Sequence, residues 1–414
     1  MMIQNTTGVR FNWVALMLLL LGSQVELTAQ DRLFVLCEGA QDFYSGEVIE
    51  APTLGVVDLG AAVPEFSILR TFDGHAYGTD VLLSEDGASL FVSAEDTVYR
   101  VDAWTGEVLA EQALQGARKL ALYGDRVYVS RGDYDPMTWA SVAFDEYLVA
   151  LDAQTLSWEA AWAADGVAGP GFASEGLCVQ EGGLFVAVNN AFAYGEEVGI
   201  VGRLDLESGQ YQEADLGPEG LNPVHLLSHP EGGVITVNAQ QYDGTSLSRW
   251  SEGEPMTVPV AEVTAGCGAA AWQENGVLFQ VYGEGDFRKA DGTTLNEVEG
   301  WNGNGMTVYS MVLPSANTVV LGMTDFATTG HVELWNFDQG IQWSVPTGIA
   351  PGRMVISQDV ADVEDLEVTT SFREAVQAFD ILGRPLKGTQ AAPGALSLIR
   401  WSDGSVTKEL KARD

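Results

Sequence analysis

The sequence predicts an all-β fold built from a repeated four-stranded unit, and two observations support the prediction. Short runs of alternating apolar and polar residues, separated by Gly, Asp, Asn and Ser, fill residues 31–357, and no stretch there has a helical period. These runs recur in the same order about every 40 to 50 residues. The chain has 414 residues, 47 of them glycine, which leaves room for many such units and their turns.

The clearest copy of the unit is DVLLSEDGASLFVSAEDTVYRVDAWTG, in which a third strand ends at Asp102 before a Thr-Gly turn. The same order returns at five later places, residues 119–155, 177–209, 225–253, 269–292 and 310–340. Asp152 and Asp205 take the place of Asp102 in the next two copies. The fourth and fifth copies, at 225–253 and 269–292, are interpreted as lacking this aspartate.

Units of four short strands with this period predict a seven-bladed β-propeller over residues 31–357. One such sheet cannot bury both of its faces, whereas a ring of stacked sheets can. The first unit opens in the middle, because RLFVLCEGA (residues 32–40) matches the second strand of the repeat. RMVIS (residues 353–357) is predicted to supply the missing first strand. This pairing would clasp the ring and leave no free sheet edge inside it.

The repeats resemble the surface-layer YVTN-type propeller repeats of secreted bacterial proteins. The opening LFVLCEGA…GVVDLG is similar to the start of that family, with a leucine-rich strand, a Glu-Gly pair and a short strand that ends in Asp. The resemblance covers about residues 32–357 and rests on repetition, since the Tyr-Val-Thr-Asn consensus itself is absent. It implies a secreted or surface-attached binding module.

The first 30 residues have the pattern of an export signal. Arg10 precedes the apolar core WVALMLLLLG, and the segment ends in LTAQ, so cleavage is expected near Ala29–Asp31. The uncharged run is too short to span a bilayer comfortably, and no longer apolar run follows, so membrane insertion is not predicted. A secreted or outer-surface location is expected.

The end of the chain is predicted to be a separate small domain. Residues 358–366 form an acidic linker, and residues 367–414 contain three alternating runs divided by turn residues. This segment resembles the C-terminal sorting domain of type IX secretion substrates. The resemblance implies a β-sandwich-like domain and the type IX machinery as a partner, on motif residues Asp380, Gly383, Arg384, Gly394, Lys408 and Lys411.

Two features depart from the sorting-domain pattern. Ala395 stands where the family has an aromatic residue after the glycine, and the Pro-Asn-Pro opening is absent. The alternative is a small β-domain used for local packing.

The charge distribution excludes some partners and separates the tail from the rest of the chain. The net charge is −38, so nucleic acid and anionic membranes would be repelled. From Phe372 onward seven Arg/Lys stand against five Asp/Glu, a net +2, and residues 1–30 sum to zero, which leaves −40 for residues 31–371. Such an acidic domain suits a saline or cation-rich medium, and equally a merely soluble surface.

Alignment of the repeats predicts one candidate site, at a mouth of the central channel. The residue before each predicted innermost strand is Asp80, Lys119, Gly176, His225, Ala269, Ser310 or Arg353. Innermost strands line the channel, so Asp80, Lys119, His225 and Arg353 are expected to converge and bind a polar or anionic ligand. The alternative is a salt-bridged, water-filled channel without a ligand.

Other motifs give weaker signals, and no catalytic residue, metal site or cofactor is predicted. His225 and His229 have an H-x-x-x-H spacing, but Pro230 prevents the helix that a zinc site of this kind needs. The Arg-Gly-Asp at 131–133 could serve adhesion, but chance occurrence in a Gly- and Asp-rich loop is the favoured explanation. The three cysteines, Cys37, Cys178 and Cys267, are expected to be buried free thiols.

Two functions of different classes remain open on the sequence. The first is a secreted or cell-surface propeller that binds a protein or a glycan and is exported by type IX secretion. The second is an extracellular lyase or hydrolase that works in the central channel, since propellers host many chemistries. Two or more convergent carboxylates or histidines at the mouth would favour the enzyme. A polar mouth with aromatic patches would favour binding.

Overall fold

The computed structural model describes residues 31–42, 45–266, 269–282, 286–302 and 306–357, together with three strands between 375 and 410. The chain divides into two units, residues 1–358 and 359–414, and each is described by itself. The predicted export signal at 1–30 and the predicted linker at 358–366 lie outside the described residues. The boundary between the two units falls at the start of that linker.

Seven four-stranded antiparallel sheets make up the first unit, so the predicted propeller is confirmed. Sheet one contains β1 (Arg32–Cys37), β4 (Thr53–Asp58) and β5 (Phe66–Thr71). The short strands β2 (Ala40–Gln41) and β3 (Val48–Glu50) pair with each other in a separate two-stranded sheet. Sheet two contains β6 (Gly78–Leu83), β7 (Ser89–Ala94), β8 (Thr97–Asp102) and β9 (Val108–Ala113). Sheet three contains β10 (Ala117–Tyr123), β11 (Arg126–Arg131), β12 (Glu146–Asp152) and β13 (Trp158–Ala163).

The remaining four sheets repeat this order. Sheet four contains β14 (Ser174–Gln180), β15 (Gly183–Val188), β16 (Ile200–Asp205) and β17 (Tyr211–Asp215), followed by a 3-10 turn at Pro218–Gly220. Sheet five contains β18 (Pro223–Ser228), β19 (Val234–Asn238), β20 (Thr245–Trp250) and β21 (Met256–Ala261). Sheet six contains β22 (Ala270–Gln273), β23 (Gly276–Gln280), β24 (Asp286–Asp291) and β25 (Glu297–Asn302). Sheet seven contains β26 (Thr307–Ser315), β27 (Thr318–Thr324), β28 (Thr329–Asn336) and β29 (Gly340–Ile349).

The two ends of the propeller pair with each other, as predicted. Strand β30 (Pro351–Ser357) lies antiparallel to β1 and completes sheet one, with Phe34 opposite Val355 and Val35 opposite Met354. The innermost strands of successive sheets contact one another around the whole circle, and β26 of sheet seven contacts β30. The ring therefore closes at seven sheets.

The hydrophobic core lies between neighbouring sheets. Phe91 of sheet two packs with Val127 and Val149 of sheet three, and the same arrangement continues to the closure, where Val35 packs with Val320. Each large side chain buried in this way stabilises the fold by about 1.5–3 kcal/mol. No sheet can bury these faces alone, so the stability of each blade depends on its neighbours.

The aspartate that ends the third strand of the repeat caps the turn that follows. The carboxylate of Asp102 accepts a hydrogen bond from the backbone N–H of Thr105 at 2.8 Å and another from its hydroxyl at 2.9 Å. Asp291, the last residue of β24, makes the equivalent bonds to Thr294. The interpretation that the fifth copy lacks this aspartate is therefore wrong, whereas the fourth copy does end its third strand differently, at Trp250.

Two predictions about reactive or adhesive groups can be compared with the structure. Cys37 is a buried free thiol and Cys178 a partly buried one, and burial raises the pKa of each to about 11. Cys267 lies outside the described residues. Arg131 of the Arg-Gly-Asp sequence is buried, donates to the carbonyl of Glu146 at 3.0 Å and packs on Phe144, so it is not presented for adhesion.

The second unit contains a three-stranded antiparallel sheet, β31 (Ala375–Asp380), β32 (Leu396–Trp401) and β33 (Val406–Leu410), in that order. Asp380 ends β31 and Lys408 lies in β33. The other predicted sorting-motif residues, Gly383, Arg384, Gly394 and Lys411, lie outside the described residues, and the β-sandwich-like arrangement stays a prediction. In the described parts of the chain, no helix is long and apolar enough to cross a membrane.

Removing residues 353–357 should destabilise the whole propeller, because sheet one loses its innermost strand and both of its neighbours lose packing. We expect the melting temperature to fall by more than about 10 °C, measured by differential scanning calorimetry. Deleting residues 367–414 is the matched control and should leave the melting temperature unchanged. Unaltered unfolding of the 353–357 deletion would contradict closure by these strands.

Candidate functional site

The innermost strands share a β-bulge near the same end. Among the described residues it occurs in six of the seven sheets, with the irregular steps at Gly78/Asp80, Ala117/Leu120, Ser174/Leu177, Pro223/His225, Val308/Ser310 and Pro351/Arg353. In sheet six, residues 267–268 before β22 lie outside the described chain. A bulge leaves a residue unpaired and redirects the side chains beside it. The predicted site residues lie at these bulges, within the strands rather than before them.

The four predicted site residues lie close together in the structure. The Nε of Arg353 is 3.6 Å from the Oδ1 of Asp80, and its Nη1 is 3.4 Å from the Nδ1 of His225. The Oδ2 of Asp80 accepts a hydrogen bond at 2.8 Å from the backbone N–H of Leu120, the residue after Lys119. Residues from sheets one, two, three and five thus converge. Their role in ligand binding stays a prediction at this point.

Lys119 and Arg353 border a small cavity of about 50 Å³, which we call the inner pocket. Asp80 and His225 do not line this cavity, but both contact Arg353. The remaining lining residues were not predicted from the sequence and are Glu38, Gly78, Thr79, Arg118, Glu175, Tyr309 and Gly352. Thr79, Arg118, Glu175, Tyr309 and Gly352 each stand one position before a predicted ring residue. The signal that would have found them is this neighbouring position in the aligned repeats.

Glu175 is the centre of an ion-pair network in the inner pocket. Arg118 donates two hydrogen bonds to its carboxylate, each at 2.9 Å, and the Nζ of Lys119 lies 3.6 Å from its Oε1. Burial raises the pKa of Glu175, but the positive charges of Arg118 and Lys119 outweigh this effect and lower the pKa to about 2. The carboxylate is therefore ionised at neutral pH.

Lys119 and His225 both have lowered pKa values, and burial is the main cause. Burial and the nearby charge of Arg353 lower the pKa of Lys119 to about 8, although Glu175 acts in the opposite direction. Burial, Arg353 and Lys119 together lower the pKa of His225 to about 3, so this imidazole is neutral at pH 7. In both cases loss of solvent disfavours the charged form, and the neighbouring cations add to that effect.

Lys119 is nearly enclosed at the channel mouth. The side chain of Lys119 is only 11% exposed, and its Nζ donates a hydrogen bond to the carbonyl of Thr79 at 2.5 Å. Truncation of Lys119 to Ala would therefore leave a buried void and an unpaired carbonyl. A substitution has to keep the volume of the aliphatic stem.

Glu38 reaches the inner pocket from the Glu-Gly turn that follows β1. Gly39 has a φ of +91° and a Cβ there would overlap the carbonyl of Glu50, so this turn needs glycine. Tyr309 donates a hydrogen bond to the carboxylate of Glu38 at 2.8 Å. Burial raises the pKa of Glu38, and this effect is larger than the opposing effects of Tyr309 and the nearby cations.

A wider cavity of about 270 Å³, which we call the vestibule, adjoins the inner pocket and shares Glu38 and Arg118 with it. Its aromatic wall consists of Tyr77, Tyr134, Phe192 and Phe326. The guanidinium carbon of Arg118 lies 5.2 Å from the ring centroid of Phe192. The site therefore combines an inner pocket lined by cations and carboxylates with an aromatic vestibule, an arrangement suited to a ligand with one polar group and one apolar face.

The H-x-x-x-H pair does not form a metal site. His225 contacts Arg353 inside the channel, whereas His229 lies in the turn after β18 and packs against Trp272, with ring centroids 5.0 Å apart. In the described residues no group of three or more His, Cys, Asp or Glu side chains is arranged to hold a metal ion.

The fold and this site define the chain as a seven-bladed β-propeller with a charged channel mouth. No protein-family model matches the chain, and no curated protein matches it. A crystal structure of a functionally unknown protein from Desulfotomaculum acetoxidans DSM 771 is similar with a TM-score of 0.55 at 10% identity, covering 78% of this chain and 98% of that one. Hydrazine synthase from Kuenenia stuttgartiensis is similar with a TM-score of 0.53 at 13% identity, covering 81% and 96%. These identities show the shared fold alone.

Replacing Glu175 by Gln should destabilise the protein by about 3 kcal/mol or more, because Arg118 and Lys119 would remain buried without their carboxylate. Glu159→Gln is the matched control, since Glu159 pairs with Arg126 at the exposed surface and its loss should cost less than about 1 kcal/mol. Urea unfolding measures both.

The difference in unfolding free energy between wild type and Glu175→Gln should also depend on pH. A carboxylate whose pKa is lowered by folding stabilises the protein above its unfolded pKa and loses that effect as the pH falls. The gap between wild type and Glu175→Gln should therefore shrink as the pH falls from 4.5 towards about 2. Equal effects of the two substitutions at pH 7 would contradict the buried network.

Proposed function

We propose that this chain is an exported β-propeller that binds a ligand at the mouth of its central channel. The observation that carries the proposal is the inner pocket, where Arg118, Lys119 and Arg353 border one cavity beneath an aromatic vestibule. Its lining holds three cations against two carboxylates, Glu38 and Glu175, and this excess of donors favours a ligand with an anionic group. The aromatic wall offers the contact area that a protein side chain or a sugar ring needs.

Binding is favoured over catalysis because the acidic groups of the mouth already have partners. Asp80 contacts Arg353, Glu175 is held by Arg118 and Lys119, and Glu38 accepts a hydrogen bond from Tyr309. The neutral His225 lies against Arg353. Such partners fix a rigid, polar surface, which is what selective recognition of a small group requires.

An extracellular lyase or hydrolase is the second candidate, and one observation favours it. Three carboxylates and a histidine converge at the mouth, and the raised pKa of Glu38 suits a general acid. Loss of turnover in Glu38→Gln with unchanged substrate binding would support this candidate. The solved structures with this fold do not discriminate, because similarity at this level carries no activity.

The proposed export route rests on the two ends of the chain. The N-terminal pattern is that of an export signal, and the tail resembles the type IX sorting domain, with three strands where three alternating runs were predicted. The resemblance of the repeats to YVTN-type propellers of secreted bacterial proteins is consistent with an extracellular role. The partners proposed are the type IX machinery and an extracellular protein or glycan.

Lys119→Met should abolish ligand binding at the mouth while the protein stays folded, because Met preserves the stem and Arg118 still pairs with Glu175. The protein and the variant are compared on glycan and protein arrays, with circular dichroism to check folding. Lys289→Met is the matched control, since Lys289 is the propeller's other lysine and its Nζ also lies 3.6 Å from a carboxylate, that of Glu274. Equal loss of binding in both variants would contradict a site at the mouth.

Deleting residues 367–414 should prevent export without changing the melting temperature. The variant is expressed in a bacterium with type IX secretion, and the protein is located by immunoblotting of cells, surface and medium. A complementary arm appends residues 367–414 to a reporter carrying an export signal, which should then reach the outside. A truncated protein that still leaves the cell would refute the sorting role.

A further inference from the structure

The cavities of the mouth limit the size of each part of a ligand. The inner pocket, about 50 Å³, exceeds the volume of one water and accommodates a group of about three heavy atoms. The vestibule, about 270 Å³, is slightly smaller than typical drug-sized sites and fits about one six-membered ring with substituents. The vestibule lies directly beside the inner pocket, so the small group must be carried on the ring.

The charge of the inner pocket selects the small group. Arg118, Lys119 and Arg353 border it beside Glu38 and Glu175, so its lining holds three cations against two carboxylates. A planar carboxylate accepts charge-assisted hydrogen bonds from such donors and relieves their repulsion. The ring is therefore expected to carry a carboxylate.

A third cavity has the opposite character. It has a volume of about 600 Å³, and we call it the acidic groove, because Glu95, Asp96 and Asp133 line it and none of its described lining residues is basic. It shares Gln41, Tyr77 and Tyr134 with the vestibule, so the two cavities adjoin. Its carboxylates can accept hydrogen bonds from hydroxyl groups but would repel a second anion.

An exposed aromatic platform borders the acidic groove. Trp139 is 55% exposed and stacks on Tyr134, with ring centroids 5.2 Å apart and planes 10° from parallel. Tyr134 lines both cavities and stacks with Trp139 and with Phe192, so the exposed face of Trp139 offers the flat apolar surface next to the carboxylates of the groove. Alternating apolar faces and hydroxyl edges are the surface chemistry of a neutral sugar.

We propose that the channel mouth binds the terminal uronic acid of an otherwise neutral glycan, with its carboxylate in the inner pocket, its ring in the vestibule and the next sugar in the acidic groove. The inference rests on the proposed binding function and specifies its ligand. The basic pocket accepts one acidic end group, and the surrounding acidic chain excludes a polyanion.

Titration calorimetry of the purified protein with a hexuronate linked to a neutral hexose tests the assignment. The disaccharide should bind at least tenfold more tightly than its carboxyl-reduced, neutral form. It should also bind more tightly than the free hexuronate. Acetate and a polyuronate should bind at least tenfold more weakly than the disaccharide. Acetate binding as tightly, or the neutral disaccharide binding as tightly, or the polyuronate binding more tightly would overturn the proposal.

Two variants assign the parts of the ligand. Lys119→Met should weaken the disaccharide at least tenfold, and Lys289→Met by less than twofold. Trp139→Ala changes an exposed side chain and should remove only the advantage of the disaccharide over the free hexuronate. This second variant tests the proposal even if Lys119→Met does not fold. An unchanged advantage in Trp139→Ala would overturn the placement of the second sugar.

Affinity should also depend on the protonation of Lys119. A bound carboxylate stabilises the ammonium form, so affinity should be constant from pH 6 to 7.5 and fall as the pH rises above about 8. The charged and titratable groups around Lys119 are Arg118, Arg353, Asp80, Glu175, Glu38 and His225. A pH-independent affinity up to pH 9.5 would contradict the position of the carboxylate.

Failure of this inference can be separated from failure of the proposed function. If the uronates do not bind but an array ligand does, and Lys119→Met abolishes that binding, the ligand class is wrong and the binding site is retained. If no array ligand depends on Lys119, both are wrong.

Discussion

The pairing of β30 with β1 is the interaction on which the rest of the structure depends. The sheets bury their faces only against one another, so each interface contributes to stability only while its neighbours are in place. Residues more than 300 positions apart in the sequence, such as Phe34 and Val355, must meet to complete the circle. Closure therefore carries a large entropic cost of joining distant segments, which the stacked cores of all seven sheets offset together.

The same closing strand also assembles the site. Arg353 lies in β30, and its guanidinium contacts Asp80 of sheet two and His225 of sheet five. An open ring would leave Arg353 apart from both partners, and Lys119 would lose one neighbouring cation. Folding and recognition are thus coupled through one residue, and an intact inner pocket reports a closed propeller.

The sequence was sufficient for the ring but not for the whole site. Repeat period, strand number and the split first unit predicted seven sheets and their closure, because these features depend on hydrophobic alternation alone. Alternation also implies that only one of two neighbouring residues faces the channel, so Arg118 was passed over beside Lys119, and Glu175 beside Gly176. The bulges break that rule by redirecting consecutive side chains, and a bulge has no apolar pattern to reveal it. Asp291 is different, because the sequence itself carries the signal: an aspartate followed three residues later by Thr or Ser occurs at Asp102, Asp152, Asp205 and Asp291.

The acidity of the chain and the basicity of its inner pocket are best understood together. A surface of net charge −40 over residues 31–371 holds polyanions at a distance, and this effect decreases with ionic strength. Within the channel, salt screens poorly because Lys119 and Glu175 are nearly enclosed. In a saline medium the long-range repulsion therefore weakens while attraction at short range persists. An acidic end group can then approach and be held, so the conditions that suit an acidic protein also suit its basic site.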